Sequence, residues 1–209
     1  MNARLVICMA VLLMYAAAAP ATGLAATETY NIDAAHTAIV FSVSHAGTSF
    51  TYGFFRQVQG GYLLDQAYPA NSRFKVSIPV ESLDTNNAER DKHLRSADFF
   101  NAQQFPTITF DSTSVATKKT DKGEEYQITG NLTMHGVTRR ITIPLTMLAA
   151  GPGLRGDYRT GFWGQTELKR SDFEMNNLLD IVGDTVGITI SFEGIRQDAA
   201  GGEAARPQQ

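Results

Sequence analysis

The sequence has a single cysteine, Cys8, and it lies within the first ten residues. Around it, Arg4 precedes an apolar run over residues 5–19, and small residues follow at Ala25 and Ala26. This order is typical of a secretory signal peptide, with cleavage after Ala25 or Ala26. The mature chain would then contain no thiol, which excludes disulfides, cysteine metal ligands and a cysteine nucleophile. We expect an exported, periplasmic protein.

The chain also lacks a long apolar run and a cluster of basic residues. The run over residues 5–19 is shorter than the roughly 18–20 residues of a membrane-spanning helix, and nothing after it is longer. The 18 Lys and Arg residues are outnumbered by 21 Asp and Glu residues, for a net charge of −3. Because nucleic-acid binding rests on neutralising phosphates with cations, we expect no nucleic-acid partner.

The chain divides into three predicted segments. Residues 1–26 are the signal peptide, and residues 27–197 are long enough for one domain with a substantial core. The tail over residues 198–209, DAAGGEAARPQQ, has no apolar residue larger than alanine, so we predict that it is disordered.

Apolar and polar residues alternate along most of the mature chain, which is the pattern of half-buried strands. The alternation predicts eight strands, over residues 36–45, 57–64, 73–80, 107–116, 125–134, 138–148, 158–168 and 184–195. Eight antiparallel strands close readily into a barrel, which removes the exposed edges of an open sheet. A two-sheet sandwich fits the same pattern almost as well, so the pattern indicates an all-β fold and leaves these two architectures open.

One segment, NNAERDKHLRSADFF, departs from the alternation. Asn86 is its predicted N-cap, Glu89 follows three residues later as in a capping box, and the helix would end near Arg95. A helix of this length is not stable alone. We expect it to pack against the body through Leu94, Phe99 and Phe100.

The segment HTAIVFSVSH raises the question of why an apolar row should stop at a histidine. Ile39, Phe41, Val43 and His45 share one face of the predicted strand. A metal site, a catalytic base and the polar rim of an apolar pocket would each explain this arrangement. The four histidines of the chain are His36, His45, His93 and His135. Zinc ligands usually come in close pairs, and these do not, so histidine-based metal binding is retained only as an alternative.

Motifs of catalysis are missing from the sequence as well. It has no Gly-x-Ser-x-Gly elbow, and GPGLRG lacks both the spacing and the following helix of a phosphate-binding loop. The acidic residues fall mostly in turns and on outer faces, rather than as the facing pair of a glycosidase. We therefore predict no catalytic residue, no metal site, no cofactor and no enzymatic activity.

Five segments resemble, in order, those of the YceI-like family of exported bacterial proteins: IDAAHTAIVFSVSHAG, NAERDKHLRSADFF, FPTITFDST, GNLTMHGVTR and KRSDFEM. The resemblance extends from about Tyr30 to Ile195. It implies a lipocalin-like antiparallel barrel of eight strands with a short helix. It also implies a central tunnel for a polyisoprenoid, an isoprenoid quinone or a fatty-acyl amide, and for some members a cytochrome b561-type membrane partner. A homodimer is one candidate for the oligomeric state. Glu174 departs from the family pattern, which usually has glycine at this position.

The resemblance and the apolar alternation together assign a binding site. The apolar residues alone do not separate a tunnel from a packed core, because both would use the same side chains. We predict that the tunnel is lined by Ile39, Phe41, Val43, Phe74, Val76, Phe99, Phe110, Ile128 and Leu132. The candidates for holding a polar head group are His45, Arg90, His93 and Arg95.

Overall fold

The structure is a computed structural model that describes residues 27–121 and 123–197. The predicted signal peptide, with Cys8, and the predicted disordered tail lie outside the described residues. Within them, no helix has the length and apolar character needed to cross a membrane. The strands are β1 (Glu28–His45), β2 (Ser49–Phe55), β3 (Gln59–Leu64), β4 (Arg73–Pro79), β5 (Leu83–Asp84), β6 (Thr107–Thr120), β7 (Gly123–Met134), β8 (Val137–Pro152), β9 (Tyr158–Lys169) and β10 (Val182–Arg196), and the one α-helix is α1 (Ala88–Arg95).

The strands form a closed antiparallel barrel. The sheet runs β10-β9-β8-β7-β6-β4-β3-β1, and a further pairing between β1 and β10 closes it. The same long strand β1 pairs with β3 near its start and with β2 near its end. β2 and β3 therefore occupy one strand position, and β4 and β5 occupy the next, because β5 pairs with β2 and β4 pairs with β3. The barrel thus has eight strand positions, which confirms the predicted eight-stranded antiparallel barrel with a short helix.

β2 was not predicted, and its amino-acid sequence explains why. Phe50, Tyr52 and Phe54 point outward and are 63%, 60% and 40% exposed, whereas Phe55 points inward and is buried. Residues 49–54 do alternate, but their apolar residues lie on the outer face and the inner face has Thr51 and Gly53, which is the reverse of a half-buried strand. The sequence pattern therefore predicted only the β3 half of this strand position.

The start of α1 differs by one residue from the prediction. Asn87, not Asn86, is the N-cap, and its side-chain oxygen accepts a hydrogen bond from the backbone N–H of Arg90. Asn86 instead adopts a left-handed conformation with φ of 61°. Asparagine tolerates this conformation better than most residues, so the first asparagine makes the turn and the second caps the helix.

One end of the barrel interior is filled by aromatic rings, which we call the aromatic floor. Tyr30 stacks on Tyr62 with the ring centroids 5.0 Å apart, and Tyr62 stacks on Phe74 at 5.1 Å. The Tyr62 hydroxyl is satisfied by the Thr160 hydroxyl, and burial raises the Tyr62 pKa above its ordinary value. The complete floor comprises Tyr30, Tyr62, Phe74, Tyr126, Phe162 and Phe192, all of them buried. This packing closes the barrel at the end where β1 begins.

The opposite end, which we call the helix end, is covered by α1 and by residues 174–181 between β9 and β10, which we call the covering segment. α1 is held there by Asp91, which is only 7% exposed. One Asp91 carboxylate oxygen accepts hydrogen bonds from the backbone N–H of Thr85, at 2.9 Å, and from the Thr85 hydroxyl, at 2.5 Å. These bonds supply the tertiary support that a helix of two turns needs.

A network of ion pairs links three strands, β1, β9 and β10, beside the aromatic floor. The Arg159 guanidinium on β9 contacts the carboxylates of Asp33 on β1, at 2.6 Å, and of Glu193 on β10, at 2.8 Å. Asp157 is a third partner at 2.8 Å, and His36 bonds the Asp33 carboxylate at 2.8 Å. Hydrogen bonds from Arg159 and then His36 lower the Asp33 pKa to about 2, from an ordinary value of 3.8.

We predict that this network makes stability depend on pH in the acid range. Because the folded-state pKa of Asp33 is lowered, its contribution is present above about pH 4 and is lost as pH falls through about 2. Asp33→Asn should lower Tm at pH 7 by roughly 2–4 °C, and the difference from wild type should shrink between pH 4 and pH 2. Thermal unfolding followed by circular dichroism measures this.

Asp111→Asn is the matched control, because Asp111 pairs with Lys75 at 3.6 Å between largely exposed side chains. It should change Tm little across the same range. A constant gap between Asp33→Asn and wild type from pH 7 to pH 2 would contradict the assignment.

Candidate functional site

The aliphatic part of the barrel interior encloses a cavity of about 140 Å³, which we call the deep chamber. Phe74 and Phe192 of the aromatic floor form its base. Thr37 and Thr166 are the polar residues in its wall, and every other lining residue is apolar. Six residues predicted to line a tunnel lie here, namely Ile39, Phe74, Val76, Phe110, Ile128 and Leu132. The interior next to the floor is therefore an apolar space that the barrel's own side chains leave unfilled.

A second cavity of about 100 Å³, the outer chamber, lies at the helix end. It is bounded by Leu94 of α1, by Phe100, by Met175 between β9 and β10, and by Val182 at the start of β10. The other three predicted tunnel residues, Phe41, Val43 and Phe99, line this chamber. The predicted tunnel residues thus all border the interior, although in two separate groups.

The two chambers share four lining residues, Phe55, Met134, Leu168 and Ile188, which we call the partition. A cavity of about 150 Å³ holds a molecule the size of benzene, so neither chamber alone accommodates a long chain. The prediction was one long tunnel, whereas the structure has two chambers in series. An elongated ligand requires the partition to move, and methionine and leucine side chains can do this by changing rotamer.

The predicted head-group residues on α1 make bonds that hold the helix in place. Arg90 donates from Nε to the Thr85 hydroxyl and from Nη2 to the Thr85 carbonyl, both at 2.7 Å. Arg95 donates from Nη2 to the Leu83 carbonyl at 2.6 Å. Neither arginine borders either chamber. These bonds give Arg90 and Arg95 a structural role in the arrangement observed.

The two predicted head-group histidines also lie outside the chamber walls. His93 contacts the Asp98 carboxylate at 2.9 Å, and its ring lies edge-on to Phe99 with the centroids 5.1 Å apart. His45 is exposed at the last residue of β1, and its backbone carbonyl accepts a hydrogen bond from the Thr48 N–H. The apolar row of β1 ends at a histidine because the strand leaves the barrel there and enters a solvent-exposed turn.

The cation that does border a chamber is Arg170, which was not predicted. It is only 5% exposed, lines the outer chamber, and lies with its guanidinium carbon 5.9 Å from the Phe99 ring centroid. Burial lowers its pKa, and the Asp184 charge opposes this effect. Arg170 donates four hydrogen bonds of 2.7 to 3.0 Å to backbone carbonyls, those of Met175, Asn177, Val182 and Gly183. Arg170 thereby fixes the segment that covers the helix end.

Glu174 begins this covering segment in a left-handed conformation. Its φ is 61°, and it directly follows the short 3₁₀ helix Arg170–Phe173, at the position where the family that the motifs resemble usually has glycine. Its backbone N–H still bonds the Ser171 carbonyl at 3.1 Å. Glycine would adopt this left-handed conformation without strain. Glu174 adopts the same conformation at a steric cost, because its Cβ atom lies too close to the backbone.

One histidine has neighbours that could ligate a metal. His36, Asp33 and Glu193 bring their ligand atoms within 4.8 Å of one another. However, the Arg159 guanidinium contacts both carboxylates directly, at 2.6 and 2.8 Å. A guanidinium at this position supplies the positive charge that a metal ion would bring. The geometry therefore favours an ion network over a metal site among the described residues.

Sequence comparison finds the family that the motifs resemble. Residues 30–194 match the model of the YceI-like domain. A UPF0312 protein of Azotobacter vinelandii is 43% identical over 162 residues, covering 78% of this chain and 83% of that protein. Protein YceI of Salmonella arizonae is 40% identical over 178 residues, covering 84% and 91%.

Solved structures with a similar fold include a named binding domain. BcnA of Burkholderia cenocepacia superimposes with a TM-score of 0.69 at 25% identity, covering 78% of this chain and 98% of that protein. A polyisoprenoid binding domain from Saccharophagus degradans gives a TM-score of 0.60 at 16% identity, covering 80% and 98%, and so shows likeness of fold.

We predict that the deep chamber is dry and admits small apolar atoms, because water would find almost no hydrogen-bond partner there. Crystals pressurised with xenon should show xenon between Val76 and Ile128. Val76→Phe should abolish the peak by filling the space. Lys75→Phe places the same ring at the neighbouring outward position, where the lysine is 81% exposed, and should leave the peak intact. Ordered water in the chamber would contradict this prediction.

We also predict that Glu174→Gly stabilises the protein by about 0.5–1 kcal/mol. Relief of the left-handed strain should exceed the added freedom of glycine in the unfolded chain. Glu174→Ala is the control, because it removes the charge and keeps the Cβ atom, and it should give no gain. Urea denaturation measures both variants, and an equal gain in the two would assign the effect to charge instead.

Proposed function

Because this chain belongs to the YceI-like family, we propose that it binds an elongated apolar lipid inside the barrel. The ligand classes we propose are a polyisoprenoid, an isoprenoid quinone or a fatty-acyl amide. The observation that carries this proposal is the pair of apolar chambers in series between the aromatic floor and the helix end. We propose carriage or sequestration of the lipid, in a periplasmic protein exported by its cleaved signal peptide.

The energetics favour a long hydrocarbon chain as the ligand. Each buried methylene contributes roughly 0.8 kcal/mol, so a few isoprene units offset the cost of association. The chamber walls offer a hydrocarbon chain apolar contact on all sides. A polar small molecule would lose its hydrogen bonds to water there without replacing them.

The chemistry of the walls favours binding over catalysis. The polar residues that border the chambers are Thr37, Thr166 and Arg170. Two hydroxyl groups and a buried guanidinium provide no general base with a pKa near 7 and no activated nucleophile. A lipid held in these chambers would therefore leave unchanged.

The aromatic floor determines the end of the barrel at which a lipid would enter. Six buried rings close the barrel at one end, and the outer chamber lies at the other, beneath α1 and the covering segment. A ligand entering at the helix end meets the outer chamber first and the deep chamber second. Loading therefore requires movement of the partition and of the helix end, whereas the floor stays packed.

The direct test is native mass spectrometry of the full chain, produced with its own signal peptide in a Gram-negative host and purified from the periplasm. The protein mass should show loss of residues 1–25 or 1–26. It should also show a copurifying long-chain lipid that organic extraction removes. Val76→Phe should lower the loaded fraction severalfold because its ring occupies the deep chamber, and Lys75→Phe should not change it.

Circular dichroism of each variant establishes that the barrel is folded. A folded wild-type protein that carries no lipid, and that does not bind added polyprenyl or quinone analogues, would overturn the proposed function. Equal loading of Val76→Phe and Lys75→Phe would show that the lipid lies outside the deep chamber.

A further inference from the structure

The barrel wall is hydrogen-bonded all round near the aromatic floor, but not between β8 and β9 toward the helix end. The ladder that joins these two strands stops at the pair Thr146 and Trp163. In the described part of the chain, no cross-strand pair joins residues 137–145 of β8 to residues 164–169 of β9. Both stretches still pair on their other sides, with β7 and with β10. We call this unpaired stretch of wall the window.

Pro144 explains why the ladder stops there. Its carbonyl oxygen lies so close to Gly164 of β9 that a Cβ atom on that glycine would be 2.1 Å from it. A strand residue directs its N–H and its C=O to the same neighbouring strand, so the side of Pro144 that faces β9 is also the side on which it has no N–H. Proline therefore withholds the donor that the next step of the ladder needs.

The window is bounded at both ends. The pair Thr146 and Trp163 bounds it toward the floor. Toward the helix end lies the 3₁₀ helix Arg170–Phe173, and the His135 ring donates a hydrogen bond from Nδ1 to the Phe173 carbonyl at 2.9 Å. This bond ties the turn between β7 and β8 to the residues that follow β9. The window is therefore a gap within the wall, and not a frayed strand end.

A groove runs along the outer side of the window. Its polar lining residues include Arg140 of β8 and Glu167 and Lys169 of β9. Ile141 and Leu168 line both this groove and the deep chamber. Leu168 also lines the outer chamber, and no other described residue borders all three spaces. Two aliphatic side chains thus form the wall that the groove and the interior share.

Ile141 and Leu168 are less completely buried than inward residues nearer the floor in the same seam. Both are partly buried, whereas Leu145 and Phe162 are 4% and 0% exposed. Leu168 can change rotamer toward the groove without disrupting a ladder pair between β8 and β9, because no such pair exists at its level. The same movement removes one of the four residues of the partition.

We propose that the window is the portal through which the hydrocarbon chain of the lipid enters the barrel, and that Leu168 is its gate. When Leu168 turns into the groove, the groove and the two chambers become one space at the level of the partition. This inference rests on the proposed function and specifies where the wall opens toward the helix end. The chain passes between stretches that no ladder pair joins, so its entry breaks no ladder hydrogen bond between β8 and β9.

The first test links the two sides of the window covalently. Arg140→Cys and Glu167→Cys, made together, place one thiol on each side of the groove, and a short bis-methanethiosulfonate joins them until dithiothreitol removes it. The link should slow the uptake of cis-parinaramide, a fluorescent fatty-acyl amide, at least about tenfold, because opening of the window becomes the limiting step. Dithiothreitol should restore the rate. Stopped-flow fluorescence measures the rate, and mass spectrometry confirms the link.

Gln165→Cys combined with Thr189→Cys is the matched control. These two residues face each other across the paired seam of β9 and β10, where the Gln165 side chain donates to the Thr189 hydroxyl at 3.1 Å. The same link at this seam should leave the rate of uptake unchanged. An unchanged rate in the linked window, or equal slowing in both linked variants, would overturn the proposal.

The second test changes the gate itself. Leu168→Ala should raise the rates of uptake and release of cis-parinaramide severalfold, because less side chain blocks the window. Ile190→Ala is the control, because Ile190 lines the deep chamber from β10 and does not border the groove. It removes similar volume and should leave both rates near those of wild type. Equal acceleration by the two variants would assign the effect to a looser core and overturn the role of Leu168.

The third test needs no variant. Because Pro144 directs its carbonyl to β9, Arg140 and Thr142 direct their N–H groups into the window, whereas Ile141 and Ile143 direct theirs to β7. Amide hydrogen exchange followed by NMR should therefore be at least about a hundredfold faster at Arg140 and Thr142 than at Ile141 and Ile143. Equal protection of all four would show a ladder that is closed in solution, and it would overturn the portal.

The two proposals fail in distinguishable ways. If wild-type protein binds cis-parinaramide at equilibrium, but neither the link across the window nor Leu168→Ala changes the rates, the portal is overturned and lipid binding stands. If wild-type protein binds neither cis-parinaramide nor added polyprenyl or quinone analogues, lipid binding itself is overturned, and the portal with it.

Discussion

The antiparallel ladder between β1 and β10 is the contact on which the rest of the molecule depends. It runs from the pair Tyr30 and Arg196 to the pair His45 and Val182, with two irregularities, one between Asp33 and Ala38 and one between Val43 and His45. Without it, the sheet would be open and its inward apolar residues would face water. With it, backbone hydrogen bonding is continuous around the ring and the inward faces enclose a space. The Arg159 network crosses this seam and reinforces it.

The enclosed space is filled unevenly because the inward residues differ in size along the barrel. Where β1 begins, aromatic rings pack against one another across the interior in stacked and edge-on pairs. Toward the helix end, most inward residues are valine, leucine, isoleucine and methionine, which reach less far across a barrel of the same strand number. The unfilled space therefore lies at one side of the floor. This asymmetry, more than the total apolar content, turns a packed core into a binding site that is closed at one end of the barrel.

The sequence predicted the barrel well, whereas the structure places the four candidate head-group residues outside the walls of the two chambers, for physical reasons that particular residues illustrate. Alternation identifies β6 to β10 because each strand has an apolar inner face and a polar outer face. It fails at β2, where the alternating aromatic residues Phe50, Tyr52 and Phe54 lie on the outer face. The candidate head-group residues Arg90 and Arg95 are cations on a polar helix, and such residues suggest free donors. Both arginines instead donate to backbone carbonyls, those of Thr85 and Leu83, and only the tertiary structure reveals these contacts. Arg170 was missed because its four partners lie five to thirteen residues further along the chain.

The central claim is that the two chambers become one when a lipid is bound. A crystal structure of the protein purified with its native ligand tests this most directly. The account predicts continuous elongated density from the outer chamber to the aromatic floor, with the side chains of Met134 and Leu168 turned aside and the six floor rings unmoved. Ligand density on the outer surface of the barrel, above an interior whose partition is still closed, would contradict it.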